Sequence, residues 1–99
     1  MRLHLSAVGN PDYNQPTAQS FAPAATIPVN SLNEASREAQ AYIRAHNLGG
    51  GNFPSAPVFV GRKCVACISY NGRVWVPVPL LRNGKTSWIA GRTEIKLTA

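Results

Sequence analysis

The spacing of apolar residues divides the chain into a helical segment and a strand-rich second half. Between residues 31 and 47, apolar side chains recur every three or four positions and form one face, which is typical of an amphipathic helix. That face holds Leu32, Ala35, Ala39, Tyr42, Ile43 and His46. From 57 to 97, short apolar runs are separated by glycine-containing turns, as in antiparallel strands. The pattern predicts an α+β fold, with one helix packed on an antiparallel β-meander of three to five strands.

Both ends of the predicted helix carry capping residues. Ser31 and Glu34 form a capping box. We expect the Ser31 hydroxyl to accept from the Glu34 amide, and the Glu34 carboxylate to accept from the Ser31 amide. Asn47 and Gly49 tolerate the left-handed conformation that ends many helices. These signals place the helix at residues 31–47, followed by a glycine linker.

The first thirty residues have a less regular pattern. Residues 1–5 alternate, with Leu3 and Leu5 opposite Arg2 and His4, and this predicts a short strand. The next segment, 6–30, contains four prolines, which exclude a regular helix. We expect its later part, 21–29, to run extended as an edge strand or to fold over the core. The functional alternative is an arm that becomes ordered on binding.

Residues 57–97 are predicted to form the β-meander. Asn71-Gly72 lies between two apolar runs and predicts a type I′ turn, in which both central residues have positive φ. Asn83-Gly84 predicts a second turn of this kind. A two-residue turn at 71–72 would place Tyr70 opposite Arg73. The pairing would continue with Ser69 opposite Val74 and Ile68 opposite Trp75.

This register assigns the side chains of the hairpin to two faces. The face expected to join the core carries Val65, Cys67, Ser69, Val74, Val76 and Val78. The other face carries Tyr70, Arg73 and Trp75 side by side. Two interpretations of it stay open. Trp75 and Ile68 pack beneath the helix, or the three side chains form a partly exposed platform that stacks bases or anchors a protein.

Length and composition limit the class of protein. The 99 residues suffice for one domain, 1–99, and no stretch approaches the roughly 20 apolar residues of a membrane span. No apolar run typical of a secretory signal follows the first residues. Two cysteines without an export signal predict a reducing, cytoplasmic location and no membrane partner.

The net charge of +6 is confined to the last 39 residues. Residues 1–60 hold three basic and three acidic side chains, whereas 61–99 hold seven basic and one acidic. Such a one-sided surface attracts phosphates or an acidic protein face, although it also fits a solvated surface kept soluble by like charge. The preferred contact site is a cluster of four cations at one end of the sheet: Arg62, Lys63, Arg82 and Lys85. The full set of candidate partner-binding residues is Arg62, Lys63, Tyr70, Arg73, Trp75, Arg82, Lys85 and Arg92.

Patterns for catalysis or metal binding are weak. Cys64 and Cys67 lie on a predicted strand, where residues three apart point to opposite faces, so we expect their thiols to diverge. Only His4 and His46 remain as nitrogen ligands for zinc, and neither has a carboxylate nearby in sequence. The chain contains no nucleophile elbow and no phosphate-binding loop. We therefore expect no catalytic residues, no metal site and no cofactor.

Two stretches, SLNEASREAQAYIRAHNLGGGNF and VACISYNGRVW, lie within residues 31–76. Together they resemble small orphan proteins encoded by phages and plasmids of proteobacteria, some of which are anti-defence factors that inhibit CRISPR effector complexes. The resemblance implies a non-catalytic inhibitor of a host nucleic-acid-processing complex. Because the chain is basic, it would bind an acidic protein patch or clamp guide or target nucleic acid, and not mimic DNA.

Two other functions stay open beside this inhibitor. The first is an accessory protein that binds nucleic acid directly through the basic hairpin surface. The second is a protein-only module that self-associates or regulates another protein through an exposed sheet edge. The dependence of binding on salt separates them, because phosphate binding weakens steeply with salt and an apolar interface does not.

Overall fold

The structure, a computed structural model, describes residues 1–7, 24–49, 53–82 and 85–97, with the side chains of 80–82 and 85–87 excepted. These residues form one helix and a six-stranded antiparallel sheet, which confirms the α+β class. The elements are β1 (Arg2–Leu5), β2 (Ala25–Pro28), α1 (Leu32–Ala45), β3 (Ala56–Val60), β4 (Lys63–Ile68), β5 (Val74–Arg82) and β6 (Lys85–Glu94). Within this part of the chain, no helix has the length and apolarity required to cross a bilayer.

The sheet has more strands than the three to five expected, because the N-terminal part of the chain contributes two. The strand order is β2-β1-β3-β4-β5-β6. Leu3 of β1 lies opposite Ile27 of β2 on one side and Val58 of β3 on the other. The rest of the predicted Pro-rich segment, 8–23, lies outside the described residues, as do the linker residues 50–52 and the turn residues 83–84.

The hydrophobic core lies between α1 and one face of the sheet. Ala35, Ala39 and Ile43 supply the helix side, and all three are buried. Four strands supply the other side, through Leu3, Val58, Ala66, Ile68 and Val74. The small alanines of α1 let the helix lie close to β1 and β4.

The N-terminal cap of α1 differs in one contact from the expected capping box. The Ser31 hydroxyl accepts from the Glu34 amide at 3.1 Å, as that motif requires. The Glu34 carboxylate, however, accepts from the Asn30 amide at 2.6 Å and not from Ser31. The acid therefore satisfies a donor one residue earlier, while its charge still lies at the positive end of the helix.

The helix ends in a left-handed residue, Asn47, whose φ is 51°. The Leu48 amide donates to the Ile43 carbonyl at 3.0 Å, and the Asn47 amide donates to the Arg44 carbonyl at 3.3 Å. These two bonds are those of a Schellman motif, in which the residue after the left-handed position returns to the helix. Leu48 is buried accordingly, and the chain leaves α1 toward the core.

The β4–β5 hairpin has a register one residue away from the predicted one. The Gly72 amide donates to the Ser69 carbonyl, and the Ser69 amide donates to the Arg73 carbonyl, both at 2.9 Å. The loop therefore has three residues, 70–72. Gly72 has a φ of 83°, whereas Asn71 is not in the positive-φ region, so the turn is not type I′. A three-residue loop that ends in a left-handed glycine accommodates the same Asn-Gly pair.

This shift changes which residues of β4 share a face with each residue of β5. Val74 lies opposite Ile68, and Trp75 lies opposite Cys67. Val74 is thus in the core beside Ile68, and Trp75 lies on the sheet face away from α1. The predicted core face was right for Val74, but Ile68 and not Cys67 shares that face, and Val76 and Val78 are exposed. The interpretation that placed Trp75 beneath the helix was wrong.

Candidate functional site

The turn between β3 and β4 brings three cations together. Arg62 and Lys63 follow Gly61 in this turn, and both are exposed. The guanidinium Nη2 of Arg2 donates to the Gly61 carbonyl at 2.7 Å. Because Arg2 lies opposite Phe59 in the sheet, the pairing of β1 with β3 delivers this third positive charge from the other end of the chain.

A cleft of about 360 Å³ opens beside this turn, hereafter the basic cleft. The described residues that line it are Arg2, His4, Thr26, Phe59, Gly61 and Arg62. None of these residues is acidic. Nδ1 of His4 and Oγ1 of Thr26 are 3.0 Å apart and share a hydrogen bond. The half-buried ring of Phe59 supplies an apolar surface next to two guanidinium groups, a combination that suits an anion attached to a flat ring.

Lys63 lies beside the basic cleft but faces the other way. It pairs with Val60, whereas Cys64 pairs with Phe59. Because successive strand residues alternate between faces, the Lys63 side chain lies on the face opposite Phe59. The turn therefore carries positive charge on both sides of the sheet.

The opposite end of β4 holds a second, less charged cleft of about 370 Å³. Its described lining consists of Ser69, Tyr70, Asn71, Trp75, Ala90 and Gly91. The Ser69 hydroxyl accepts from the Trp75 indole Nε1 at 3.0 Å and donates to Oδ1 of Asn71 at 2.5 Å. Trp75 is thereby held in place, while Tyr70 in the loop is 45% exposed.

Of the eight predicted contact residues, those whose side chains the structure describes lie at separate positions and not in one patch. Arg62 and Lys63 lie at one end of β4, and Tyr70, Arg73 and Trp75 lie near the other, roughly 17 Å away at the usual rise of a strand. Arg92 is exposed on β6. Arg73 is exposed beside the loop, but it is not among the described residues that line this second cleft.

The backbones of Arg82 and Lys85 lie directly opposite each other where β5 ends and β6 begins. Since β5 runs antiparallel to β4, this end of β5 points the same way as the Gly61 turn. The side chains of both residues lie outside the described part of the structure, so the predicted cluster of four cations is described only for Arg62 and Lys63.

The two cysteine thiols do not diverge, contrary to the expectation from alternation. The pairing of β3 with β4 shifts by one residue between Val58 and Phe59. This bulge returns Cys64 to the sheet face of Cys67, and the two thiols form a hydrogen bond. Both side chains are buried.

Burial governs the chemistry of these thiols. Desolvation and, to a smaller extent, the neighbouring Cys64 thiol together raise the pKa of Cys67 to about 12. Desolvation also raises the pKa of Cys64, against a smaller opposite effect of the hydrogen bond with Cys67. Both groups therefore stay protonated near neutral pH, and a protonated thiol is a poor nucleophile and a poor metal ligand.

The two histidines lie on separate elements. His46 is exposed at the C-terminal end of α1, where its ring meets the ring of Tyr42 edge-on with centroids 4.8 Å apart. His4 is in β1 and bonds Thr26. Among the described residues, no group of three or more His, Cys, Asp or Glu side chains comes together to hold a metal ion.

The sequence analysis missed four side chains of the basic cleft: Arg2, His4, Thr26 and Phe59. The alternation of residues 1–5 did place Arg2 and His4 on one face. It could not reveal that β1 lies next to β3, because that pairing joins residues more than fifty positions apart. Phe59 stood within a short apolar run, where nothing distinguished a ring in a cleft from one in the core.

Comparison with known proteins adds no relative. No protein-family model, no curated protein and no solved structure matches this chain.

Proposed function

We propose that this protein is a small, non-catalytic binding protein that attaches to nucleic acid, either free or within a host nucleic-acid-processing complex. Its contact surface consists of the exposed cations of the C-terminal half, with the Gly61 turn at its centre. Electrostatic attraction to phosphates provides the affinity, and the exposed Tyr70 with the half-buried Phe59 and Trp75 adds stacking.

One observation carries this proposal. Every basic side chain that the structure describes between 61 and 97 is exposed: Arg62, Lys63, Arg73, Arg92 and Lys96. The single acid of this half, Glu94, is only half exposed and pairs across the sheet with Trp75. Positive charge held outward with so little local compensation attracts a polyanion over distances of about 10 Å at moderate salt.

The high pKa of Cys67 supports a binding role over nucleophilic catalysis. A thiol with a pKa of about 12 supplies almost no thiolate near neutral pH, and Cys64 beside it is shifted in the same direction. The described histidines have no carboxylate beside them that would orient the ring for proton transfer.

The resemblance to anti-defence proteins of phages and plasmids gives this binding a biological form. As an inhibitor of a CRISPR-type complex, the protein would cover guide or target nucleic acid and block access to it. Mimicry of DNA is not part of the proposal, since a chain with a net charge of +6 cannot imitate a polyanion.

The direct test is binding of a fluorescently labelled single-stranded oligonucleotide, followed by anisotropy from about 50 to about 200 mM salt. We expect the logarithm of the affinity to fall linearly with the logarithm of the salt concentration, with a slope that reports several phosphate contacts. An absence of binding at the lowest salt, or an affinity that does not change with salt, would contradict the proposal.

A second candidate function is self-association through β6. This ten-residue strand is an edge of the described sheet, and the neighbouring Val76 and Val78 are 42% and 39% exposed. Long edges beside exposed apolar residues pair readily with another strand. Sedimentation of the purified protein tests this candidate. A dimer that persists at high salt and is lost in a Val76→Lys variant would favour it, and a monomer at all salt concentrations would exclude it.

A further inference from the structure

We infer that the basic cleft is a site for a nucleoside phosphate, with the phosphate between Arg2 and Arg62 and the base against Phe59. This inference rests on the proposed function and deepens it, because it names the unit of a nucleic acid that one part of the surface recognises. The same chemistry is offered by one nucleotide of a single strand and by a free mononucleotide, and the experiment below separates the two.

The position of Arg2 supports a phosphate between the two guanidinium groups. One of its five N–H donors is used by the Gly61 carbonyl, which holds the side chain against the turn. The remaining donors are left for an oxyanion, and arginine binds phosphate through two parallel hydrogen bonds. Arg62 follows Gly61 directly and lines the same cleft. A phosphate here would relieve the repulsion between the two cations.

Gly61 makes this arrangement possible. Its φ is 61°, in the left-handed region that favours glycine, and a Cβ built on it would meet nothing within 4 Å. Gly61 lines the cleft, and the space beside its Cα is open. Its carbonyl is presented to Arg2, and its free space is left to a ligand.

Phe59 and the His4–Thr26 pair distinguish a nucleotide from a simple anion. The ring of Phe59 is half buried and lines the cleft beside both arginines. Stacking of a base on an aromatic ring contributes about 1–3 kcal/mol and tolerates any base. His4 uses Nδ1 for Thr26, so its Nε2 and the second hydrogen-bonding position of the Thr26 hydroxyl remain for the sugar. An inorganic phosphate would use the arginines alone.

The size of the cleft limits the ligand to one such unit. Its volume of about 360 Å³ lies at the lower end of the range for small-molecule sites. A base with its phosphate fits this space, whereas a duplex can only lie across the entrance. The described lining contains no carboxylate that would repel the phosphate.

The test uses the full chain, labelled with ¹⁵N and with ¹³C in its aromatic rings, and follows its NMR spectrum. Three probes are titrated separately: adenosine monophosphate, inorganic phosphate and a short single-stranded oligonucleotide. We expect adenosine monophosphate to shift the signals of Phe59, His4 and Gly61, and to bind at least about fivefold more tightly than inorganic phosphate, since only the nucleotide can stack.

Two variants and a matched control locate the site. Phe59→Leu keeps an apolar side chain but removes the ring, and Arg2→Gln removes one guanidinium. Each should lower the affinity for adenosine monophosphate by about fivefold or more. Arg37→Gln removes the same charge from the exposed face of α1, outside the lining of the cleft, and should change this affinity by less than about twofold. Unchanged amide spectra away from the cleft show that each variant is folded.

The outcomes separate this inference from the proposed function. If the oligonucleotide binds and is insensitive to both cleft variants, the site assignment is overturned while nucleic-acid binding stands. If adenosine monophosphate binds in the cleft but no oligonucleotide binds, the cleft is a mononucleotide site and the proposed function fails. If neither nucleotide probe moves the cleft signals, or an acidic peptide binds there in preference to both, the inference is wrong.

Discussion

The Ser36 hydroxyl donates a 2.6 Å hydrogen bond to the backbone carbonyl of Gly72, and both residues are buried. This contact ties the middle of α1 to the loop of the β4–β5 hairpin. The side chain of Gln40 extends the contact, since its Nε2 donates to the Ser36 hydroxyl at 3.1 Å. The helix therefore contacts the hairpin end of the sheet through the hydrogen bond between Ser36 and Gly72 as well as through the hydrophobic core.

Replacing Ser36 by alanine should destabilise the protein by roughly 1–3 kcal/mol, because the Gly72 carbonyl loses its partner in a place that water does not reach. Urea unfolding followed by circular dichroism measures this change. Glu38→Ala, on the exposed face of the same helix, is the matched control and should stay within about 0.5 kcal/mol of the parent. Equal stabilities of the two variants would show that the hydrogen bond between Ser36 and Gly72 contributes nothing to stability.

The two left-handed turn glycines should respond differently to alanine. Gly61→Ala adds a Cβ into open space, so it costs only the backbone term of about 1–2 kcal/mol. Gly72→Ala meets the same backbone term and also places its Cβ 2.5 Å from Nε2 of Gln40. We therefore expect the greater loss of stability at Gly72.

A double-mutant cycle isolates the steric part of that loss. Combining Gly72→Ala with Gln40→Ala removes the obstructing side chain, so the free-energy cost of the pair should be smaller than the sum of the single costs. Unfolding in urea supplies all four values. Strict additivity would mean that the Gln40 side chain moves aside freely and that the close approach has no energetic consequence.

The thiols should be unreactive in the native state at mildly alkaline pH. The pKa of Cys67 is raised to about 12 by burial, whereas an unfolded thiol titrates near 8.5. We expect alkylation by iodoacetamide, followed by mass spectrometry, to be at least about tenfold slower for the native protein than in denaturant. Rapid labelling of both cysteines under native conditions would contradict the buried pair.

The raised pKa of Cys67 also makes the stability of the fold depend on pH. Because the folded protein holds the Cys67 proton more tightly than the unfolded chain, its contribution is complete below about pH 8.5 and is lost as the pH rises toward 12. Cys67→Ala should therefore reduce the fall in stability over this alkaline range, whatever it does to stability at neutral pH. An unchanged alkaline slope in the variant would argue against the shift.

The helical and turn signals were local and could be interpreted from the sequence. The 3.6-residue period and Ser31 at its start lead to α1, and Asn71-Gly72 leads to a hairpin loop. The register of that hairpin could not be predicted from the sequence, because an Asn-Gly pair fits both a two-residue and a three-residue loop. The choice between them decided whether Ile68 shares its face of the sheet with Trp75 or with Val74.

The basic cleft could not be derived from the sequence, because it depends on contacts between distant segments. Arg2 reaches Gly61 only when β1 inserts between β2 and β3, and no local pattern specifies that order. The thiol pair depends on a bulge of one residue in β4, which a regular alternation cannot anticipate. The excess of basic residues in the C-terminal half, in contrast, could be counted directly in the sequence.

The central claim, that the Gly61 turn contacts nucleic acid, is tested most directly by a charge-matched pair of variants. The first variant, Arg62→Glu with Lys63→Glu, reverses the charge of the turn. The second, Arg37→Glu with Arg44→Glu, reverses the charge of two exposed residues of α1, so both variants have the same net charge. The account predicts that the turn variant loses roughly tenfold or more of its affinity for a single-stranded oligonucleotide, and the helix variant much less. Equal losses would contradict the account, because binding would then follow net charge alone and not this surface.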